Sequence, residues 1–384
     1  MEIHFNEPYI SGKEISYIED VFKRSYFSGN GYYTNKCQEL IEHKYNINKV
    51  LLTHSCTGAL EMAALLMELN KKDEIILPSY TFCSTATAFL RSGAKLVFAE
   101  ISEDDLMLDP EDVKNKLSPN TKVIVPVHYG GSCAKTEDIK SIVKGTDISI
   151  IEDAAQGFAS FSPEKEPLGS IGKLGCISFH ETKNFHSGLG GAIYLNDKSE
   201  EFLNKAIQVW QRGTNRQSQL SGEIERYTWT ELGSSFYPSE LQSACLLAQL
   251  ETIEENVKTR SNIYECYLEN LIPLEHENYL KLYKHDTETI HNHHAVIIFV
   301  KDEKTNNMLR QYLLENGIEA YIGYVPLHSS PMGKKLGYKN SDLSKTEEIS
   351  KRIIRLPMHN NLSEKNVKKI CMKISNFFNQ SSNL

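Results

Sequence analysis

Hydrophobic residues in the first two hundred positions fall into short runs typical of buried strands. The runs are VLLTH (50–54), EIILP (74–78), KLVFAEI (95–101), KVIVPVH (122–128), ISIIED (148–153), CISFH (176–180) and AIYLN (192–196). Segments with helical spacing of apolar residues lie between them, such as GALEMAALLMEL (58–69) and STATAFLRSG (84–93). Nearly continuous apolar strands that alternate with helices are covered on both faces. The pattern therefore predicts an α/β fold with a mainly parallel, seven-stranded sheet.

The pattern changes after about residue 240. Residues 238–271 carry apolar positions at helical spacing and predict one long helix. A strand at 294–300, a helix around 304–316 and a terminal helix near 363–378 follow. We therefore expect a large domain of residues 1–240, and a linking helix with a small α+β domain in residues 241–384.

Composition excludes several classes of protein. The chain has 384 residues, of which 40% are hydrophobic, so it can bury a substantial core. Its net charge of −8, with scattered basic residues, argues against nucleic-acid binding. No run approaches the roughly 18 apolar residues of a membrane helix, and the acidic N-terminus is not a signal peptide. Eight cysteines without a CxxC pair indicate buried thiols. We expect a cytoplasmic protein.

Two of the predicted strands are associated with ionisable side chains that are candidates for catalysis. Asp153 ends ISIIED, and Lys183 follows CISFH in the segment CISFHETKN. Parallel sheets place ligands beyond the carboxyl ends of their strands, where both residues fall. Pyridoxal phosphate needs an amine to hold its aldehyde as a Schiff base and a carboxylate to keep its ring nitrogen protonated. The alternatives are a surface turn lysine and an aspartate that only caps a helix.

The segment HSCTGAL (54–60) predicts an anion site. Thr57 and Gly58 open a predicted helix, and the N–H groups and hydroxyls at a helix start bind phosphate. Ser and Thr are also common helix caps, so this motif gains weight only together with Lys183 and Asp153.

These segments together resemble the nucleotide-sugar aminotransferases of the DegT/DnrJ/StrS group, within the fold-type I pyridoxal-phosphate enzymes. The resemblance covers nearly the whole chain, in SGNGYYTNKC (28–37), HSCTGAL, PSYTFCSTATAFL (78–90), EDAAQ (152–156), SFHETKN (178–184), GSSFYPSELQSA (233–244), YVPLH (324–328) and RLPMHNNL (355–362). SFHETKN, GTNR (213–216) and GSSFYPSELQSA are most similar to WecE-type enzymes, which aminate a dTDP-4-keto-6-deoxyhexose.

The resemblance implies roles for the matching residues. Lys183 would form the Schiff base and then move a proton, and Asp153 would pair with the ring nitrogen. Gln156 would lie near the 3-hydroxyl of the cofactor, and Ser178 would bind its phosphate. Phe82 would stack on the ring, with an ordinary core phenylalanine as the alternative.

The resemblance identifies the residues that contact the substrate less clearly than those that contact the cofactor. His180 and His328 lie in matching stretches and are candidates for contact with the sugar or the cofactor. Tyr33, Thr34 and Tyr324 are further candidates for contact with the sugar nucleotide. For all five residues, structural packing remains an open alternative.

Three departures from the family pattern stand out. Cys56 replaces a common Gly, and Ser235 replaces an Asn that reaches the phosphate across a subunit interface. Leu189 lies where an acid is usual, in a loop that is one residue short. The resemblance implies a homodimer with shared sites, to which residues 28–34 and Ser235 of a second copy contribute.

The expected reaction transfers the amino group of L-glutamate to dTDP-4-keto-6-deoxyglucose, with the galacto product favoured over the gluco product. Amination at C3 is the alternative. Same-fold dehydratases carry His in place of the lysine, so Lys183 argues against that reaction, and the Lys–Asp–Ser set argues against a non-catalytic regulator. His291, His293 and His294 suggest a metal site, but neighbouring strand residues point to opposite faces, so we expect no metal.

Overall fold

The computed structural model describes residues 2–285 and 289–381. Within these residues the larger sheet has seven strands. They are β1 (Lys49–Thr53), β2 (Glu74–Pro78), β3 (Lys95–Ala99), β4 (Thr121–Ile124), β5 (Ser149–Asp153), β6 (Leu174–Ser178) and β7 (Gly191–Leu195). Their order is β1-β7-β6-β5-β4-β2-β3. Only β7 runs antiparallel to its neighbours, β1 and β6, which confirms the predicted mainly parallel seven-stranded sheet.

Helices cover both faces of this sheet. In chain order, the helices up to residue 250 are α1 (Glu14–Arg24), α2 (Tyr32–Tyr45), α3 (Cys56–Leu66), α4 (Cys83–Leu90), α5 (Pro110–Lys116), α6 (Thr136–Ile142), α7 (Glu200–Trp210), α8 (Arg216–Leu220) and α9 (Glu240–Leu250). Alternation along β1 shows why both faces need cover. Leu51 packs with α3, α4 and α7, whereas Val50 and Leu52 pack with α2 and α9 on the other side.

The single long helix predicted over 238–271 is wrong. The chain forms α9 and then a separate α10 (Ile253–His276). The start of α9 is set by a capping box, in which Ser239 and Gln242 bond each other's backbone N–H groups. The break falls at Thr252, which leaves the helical conformation and donates both its hydroxyl and its N–H to the Gln249 carbonyl. A threonine side chain competes for backbone groups in this way.

A second, antiparallel sheet lies in the C-terminal part. It consists of β8 (Lys281–Leu282), β9 (Val296–Phe299) and β10 (Ile353–Leu356), in the order β10-β9-β8. The remaining helices are α11 (Glu303–Glu315), α12 (Pro331–Lys335), α13 (Ser344–Ser350) and α14 (Glu364–Ser381), with short 3₁₀ turns at Tyr129–Gly131 and Asn340–Leu343. The N-terminal Ile3 pairs with Ile318 and joins this core. The domain boundary at residue 240 stays a prediction.

The two sheets meet beyond the carboxyl ends of β2 and β4. Ile297 and Phe299 of β9 pack against Tyr80 and Tyr129, which follow β2 and β4. No helix in the described ranges is long and apolar enough to span a bilayer.

Candidate active site

A cavity of about 390 Å³ lies where β5 and β6 end, walled on its far side by β10. Eight of the residues to which the sequence analysis gave a catalytic, cofactor or substrate role line it: Thr57, Phe82, Asp153, Gln156, Ser178, His180, Lys183 and Tyr324. The carboxyl-end edge of the sheet therefore brings these predicted site residues together in one cavity.

Lys183 projects into the cavity from the turn that follows β6. Its backbone N–H donates to the His180 carbonyl at 2.8 Å, which closes the turn. Burial lowers the pKa of the Lys183 amine from 10.5 to about 8. Cys56 and Asp153 oppose this change and Arg355 adds to it. The amine is therefore partly neutral, and nucleophilic, near neutral pH.

Asp153 is held at the end of β5 by two hydrogen bonds. Its Oδ2 accepts from the Thr85 hydroxyl at 2.7 Å, and its Oδ1 accepts from the Ala155 N–H at 3.1 Å. Burial raises the pKa of the carboxyl group, and the Thr85 hydrogen bond opposes this. Residues 155–159 form turns, so the helix-cap alternative is wrong. No hydrogen bond joins Asp153 to Lys183, and they interact only through space.

The start of α3 forms the third side of the cavity. Ser55 caps the helix by accepting from the Gly58 N–H at 3.0 Å, and the Thr57 hydroxyl donates to Ser84 at 2.8 Å. Gly58 itself does not line the cavity; a Cβ there would lie 2.6 Å from the His54 ring. Since the first N–H groups of a helix lack intrahelical partners, this end presents donors to an anion.

Gln156, Phe82 and Tyr324 all line the cavity. Gln156 accepts from the Gly130 N–H at 2.7 Å and donates to the Tyr324 hydroxyl at 2.9 Å. Phe82 is 56% exposed, and its ring lies 6.3 Å from that of Tyr324. An exposed aromatic face at a cavity mouth contradicts the core-phenylalanine alternative.

Four other predicted residues lie outside the cavity of a single chain. Tyr33 donates to Asp20 and Thr34 bonds Glu240, and both are buried. His328 is fully buried, with its Nδ1 2.7 Å from the Ser79 hydroxyl. The fourth is Ser235, which is exposed on a loop. Their roles toward a ligand stay predictions.

The structure adds residues to which the sequence analysis assigned no role in the site. Arg355 and His294 line the cavity from the C-terminal part of the chain. The His294 Nδ1 lies 2.9 Å from the Asn184 side-chain oxygen, directly after Lys183 in sequence. Arg355 belongs to the segment RLPMHNNL, which marked the family but did not indicate that this side chain lines the same cavity as Lys183.

The histidines considered for a metal site do not act together. His294 faces the cavity, while His291 and His293 turn the other way and meet His285, with nitrogens within 4.8 Å of one another. The three rings form a packed cluster. The rings of His285 and His291 stack 3.4 Å apart in planes that differ by 20°. Such rings point their nitrogens along separate planes, so this arrangement favours packing over coordination, and the absence of a metal stays a prediction.

The cavity fits pyridoxal phosphate. It combines a buried amine, a buried carboxylate that this amine does not pair with, the donor-rich start of α3 and an exposed aromatic ring. Comparison with models of known protein families then identifies the family of the chain. The model of the DegT/DnrJ/EryC1/StrS aminotransferase family matches residues 8–375.

The chain belongs to this family. It is therefore a transaminase that depends on pyridoxal phosphate, as the sequence analysis predicted. A GDP-perosamine synthase from Vibrio cholerae is 26% identical over 375 residues, covering 97% of this chain and 98% of that protein. A UDP-2-acetamido-2-deoxy-3-oxo-D-glucuronate aminotransferase from Pseudomonas aeruginosa is 27% identical over 379 residues, covering 96% of this chain and 92% of that enzyme.

Solved structures show the same fold. The PLP form of Spr1654 from Streptococcus pneumoniae superposes with a TM-score of 0.90, at 23% identity, and the match covers 98% of both chains. Helicobacter pylori PseC, an aminotransferase of pseudoaminic acid biosynthesis, gives a TM-score of 0.89 at 22% identity, covering 99% of this chain and 100% of PseC.

Proposed function

We propose that this aminotransferase moves the amino group of L-glutamate to a keto-sugar nucleotide. The proposed acceptor is dTDP-4-keto-6-deoxy-D-glucose, and the proposed product is a dTDP-4-amino-4,6-dideoxyhexose of galacto configuration for glycan biosynthesis of the O-antigen type. The observation that supports transamination is the pairing, in one cavity, of the buried Lys183 amine with a separately held Asp153 carboxylate. The relatives that act on GDP- and UDP-linked sugars support the substrate class.

The chain's own residues supply the binding and the proton transfers. Pyridoxal phosphate, when bound, acts as an electron sink for the carbon that bears the transferred amine. Lys183 would hold the cofactor through its neutral amine and, once released, carry a proton between the two reacting carbons. Asp153, fixed by Thr85, would keep the ring nitrogen protonated. Ser178 and the start of α3 would hold the phosphate, and Phe82 would cover the ring face.

The nucleotide would bind at the cavity mouth, where Phe82 and Leu189 are exposed. The carbonyl of the sugar must reach Lys183, so the remainder of the ligand extends outward. The segment 28–34 and Ser235 of a second copy would complete that surface. We therefore propose a homodimer with two composite sites. We further propose that the enzyme acts in the cytoplasm.

Amination at C4 rests on the resemblance of SFHETKN, with Glu181 where many relatives carry Pro, to 4-aminating enzymes. The 3-oxo-sugar relative from Pseudomonas aeruginosa favours the second candidate, a 3-aminotransferase that acts on a dTDP-3-keto-6-deoxyhexose. Both candidates use the same residues around Lys183 and differ in how the sugar ring lies over them.

Turnover of defined sugars tests the proposal. Holoenzyme and L-glutamate are incubated separately with the 4-keto and 3-keto dTDP-6-deoxyhexoses and with GDP- and UDP-linked 4-keto sugars. The products are solved by NMR, with Lys183→Ala as the inactive control. We expect the 4-amino dTDP product. Exclusive use of the 3-keto sugar would refute the position of amination, and turnover of only GDP or UDP sugars would refute the nucleotide.

A further inference from the structure

His294 is held in a fixed position in the wall of the cavity. It precedes β9 and is only 7% exposed. Its backbone N–H donates to the Asn292 side-chain oxygen at 3.0 Å, and its carbonyl accepts from the Arg260 guanidinium at 2.9 Å. Asn292 is itself fixed, because its amide nitrogen donates to the carbonyls of Gln156 and Phe158, both at 2.8 Å. The His294 ring therefore enters the cavity from a backbone that is anchored on both sides.

The hydrogen bonds of Asn184 determine which nitrogen of the His294 ring carries the hydrogen. The Asn184 amide nitrogen donates to the Asn292 carbonyl at 2.7 Å, so the amide oxygen is the atom that points at His294. That oxygen lies 2.9 Å from Nδ1 and can only accept, so Nδ1 is the donor. Burial lowers the pKa of His294 well below its ordinary value, and the charge of Lys183 adds to this, so the ring is neutral. In such a ring Nε2 is a bare acceptor.

In the part of the chain that the structure describes, neither Nε2 of His294 nor the amine of Lys183 takes part in a hydrogen bond. Both side chains line the cavity, and Lys183 is the charge that acts most strongly on the His294 ring. Other acceptors of the wall are occupied. Asp153 already accepts two hydrogen bonds, and the Gln156 side-chain oxygen accepts from the Gly130 N–H. His294 therefore adds an unoccupied acceptor to the wall near the reacting amine.

We propose that His294 is a positioning residue that accepts a hydrogen bond from Lys183 while the lysine is released from the cofactor. When an amine ligand takes the place of Lys183 on the cofactor, two nitrogens cannot occupy one position, and the lysine has to move aside. It must still stay within reach, because it carries the proton between the two reacting carbons. The ammonium and the neutral amine of a lysine both have N–H groups to donate, so a bare imidazole nitrogen can hold either form. The inference rests on the proposed role of Lys183, and not on the identity of the sugar.

The two forms of the cofactor separate this role from a structural one. Pyridoxal phosphate is captured by Lys183 itself, whereas pyridoxamine phosphate brings its own amine and leaves the lysine free. Cofactor-free protein is titrated with pyridoxamine phosphate in a calorimeter, and the rate of covalent capture of pyridoxal phosphate is measured in parallel. His294→Phe should bind pyridoxamine phosphate on the order of tenfold more weakly, as expected for loss of a hydrogen bond to a charged group. Its capture of pyridoxal phosphate should equal that of the wild type.

Two further variants and one rate measurement complete the comparison. His294→Gln keeps a side-chain acceptor and should recover part of the affinity for pyridoxamine phosphate. His293→Phe removes the neighbouring histidine, which does not line the cavity, and should match the wild type. In the half-reaction of holoenzyme with L-glutamate alone, His294→Phe should lower the maximal rate about tenfold. The glutamate concentration at half-maximal rate should change little, because the lysine and not the ligand loses a contact.

Two results would overturn the proposal. One is a loss of pyridoxal phosphate capture in His294→Phe as large as its loss of affinity for pyridoxamine phosphate, since His294 would then only support the fold of the cavity. The other is unchanged affinity for pyridoxamine phosphate in both His294 variants. Failure of every keto-sugar, together with the expected pyridoxamine phosphate affinities, would refute the proposed function while leaving the role of His294 intact.

Discussion

The lowered pKa of Lys183 makes a quantitative prediction about cofactor capture. Only the neutral amine attacks an aldehyde. With a pKa of about 8, roughly one amine in ten is neutral at pH 7, whereas an ordinary lysine near 10.5 has about three in ten thousand. The cofactor-free protein should therefore capture pyridoxal phosphate at Lys183 about 300-fold faster at pH 7 than an unperturbed lysine would.

The assay is the rate of covalent capture, followed by stopped-flow absorbance between pH 6 and pH 10. Because the neutral fraction grows as pH rises, the rate should increase about tenfold per unit below pH 8 and level off above it. Lys183→Ala provides the control and should lack the fast phase, since exposed lysines such as Lys36 and Lys368 have a raised pKa. A midpoint near 10.5 would show that burial does not prepare this amine and would refute the reasoning.

Three further predictions concern the rest of the site. Asp153→Asn should lower the rate of transamination by orders of magnitude with the fold retained, because it breaks the buried ion pair between Asp153 and the protonated ring nitrogen of the cofactor, which costs roughly 3–5 kcal/mol. Near wild-type turnover would contradict the role of the acid. Thr85→Val removes a hydrogen bond to Asp153 and should lower turnover less than Asp153→Asn does, and an effect as large as that of Asp153→Asn would mean that Thr85 acts on more than this carboxylate. Mixing Lys183→Ala protein with a variant damaged in segment 28–34 should restore partial activity through hybrid dimers, and full activity of a monomer at high dilution would argue against shared sites.

The large sheet was predictable because each of its strands is a short, nearly continuous apolar run. A run such as EIILP has no polar alternation, and β2 occupies the same residues, Glu74–Pro78. Asp153 and Ser178 end their strands, so the rule for parallel sheets sufficed to place them at one edge. The break between α9 and α10 was not predictable from spacing, because apolar periodicity continues through Thr252 while its side chain competes for the backbone.

The supporting parts of the site were less predictable because they depend on distant contacts. Thr85 reaches Asp153 across 68 residues of sequence, and only the sheet order brings α4 beside β5. Arg355 lines the same cavity as Lys183 but belongs to a different sheet. Local pattern identifies which residues are polar, but the register between elements decides which of them share a cavity.

Chemical trapping of the cofactor tests the central claim most directly. Yellow holoenzyme is reduced with borohydride and digested, and the labelled peptide is sequenced by mass spectrometry. The cavity geometry predicts one modified residue, Lys183, and no label in Lys183→Ala protein. Label on any other lysine, or a holoenzyme that binds the cofactor without a reducible bond, would contradict the assignment of Lys183.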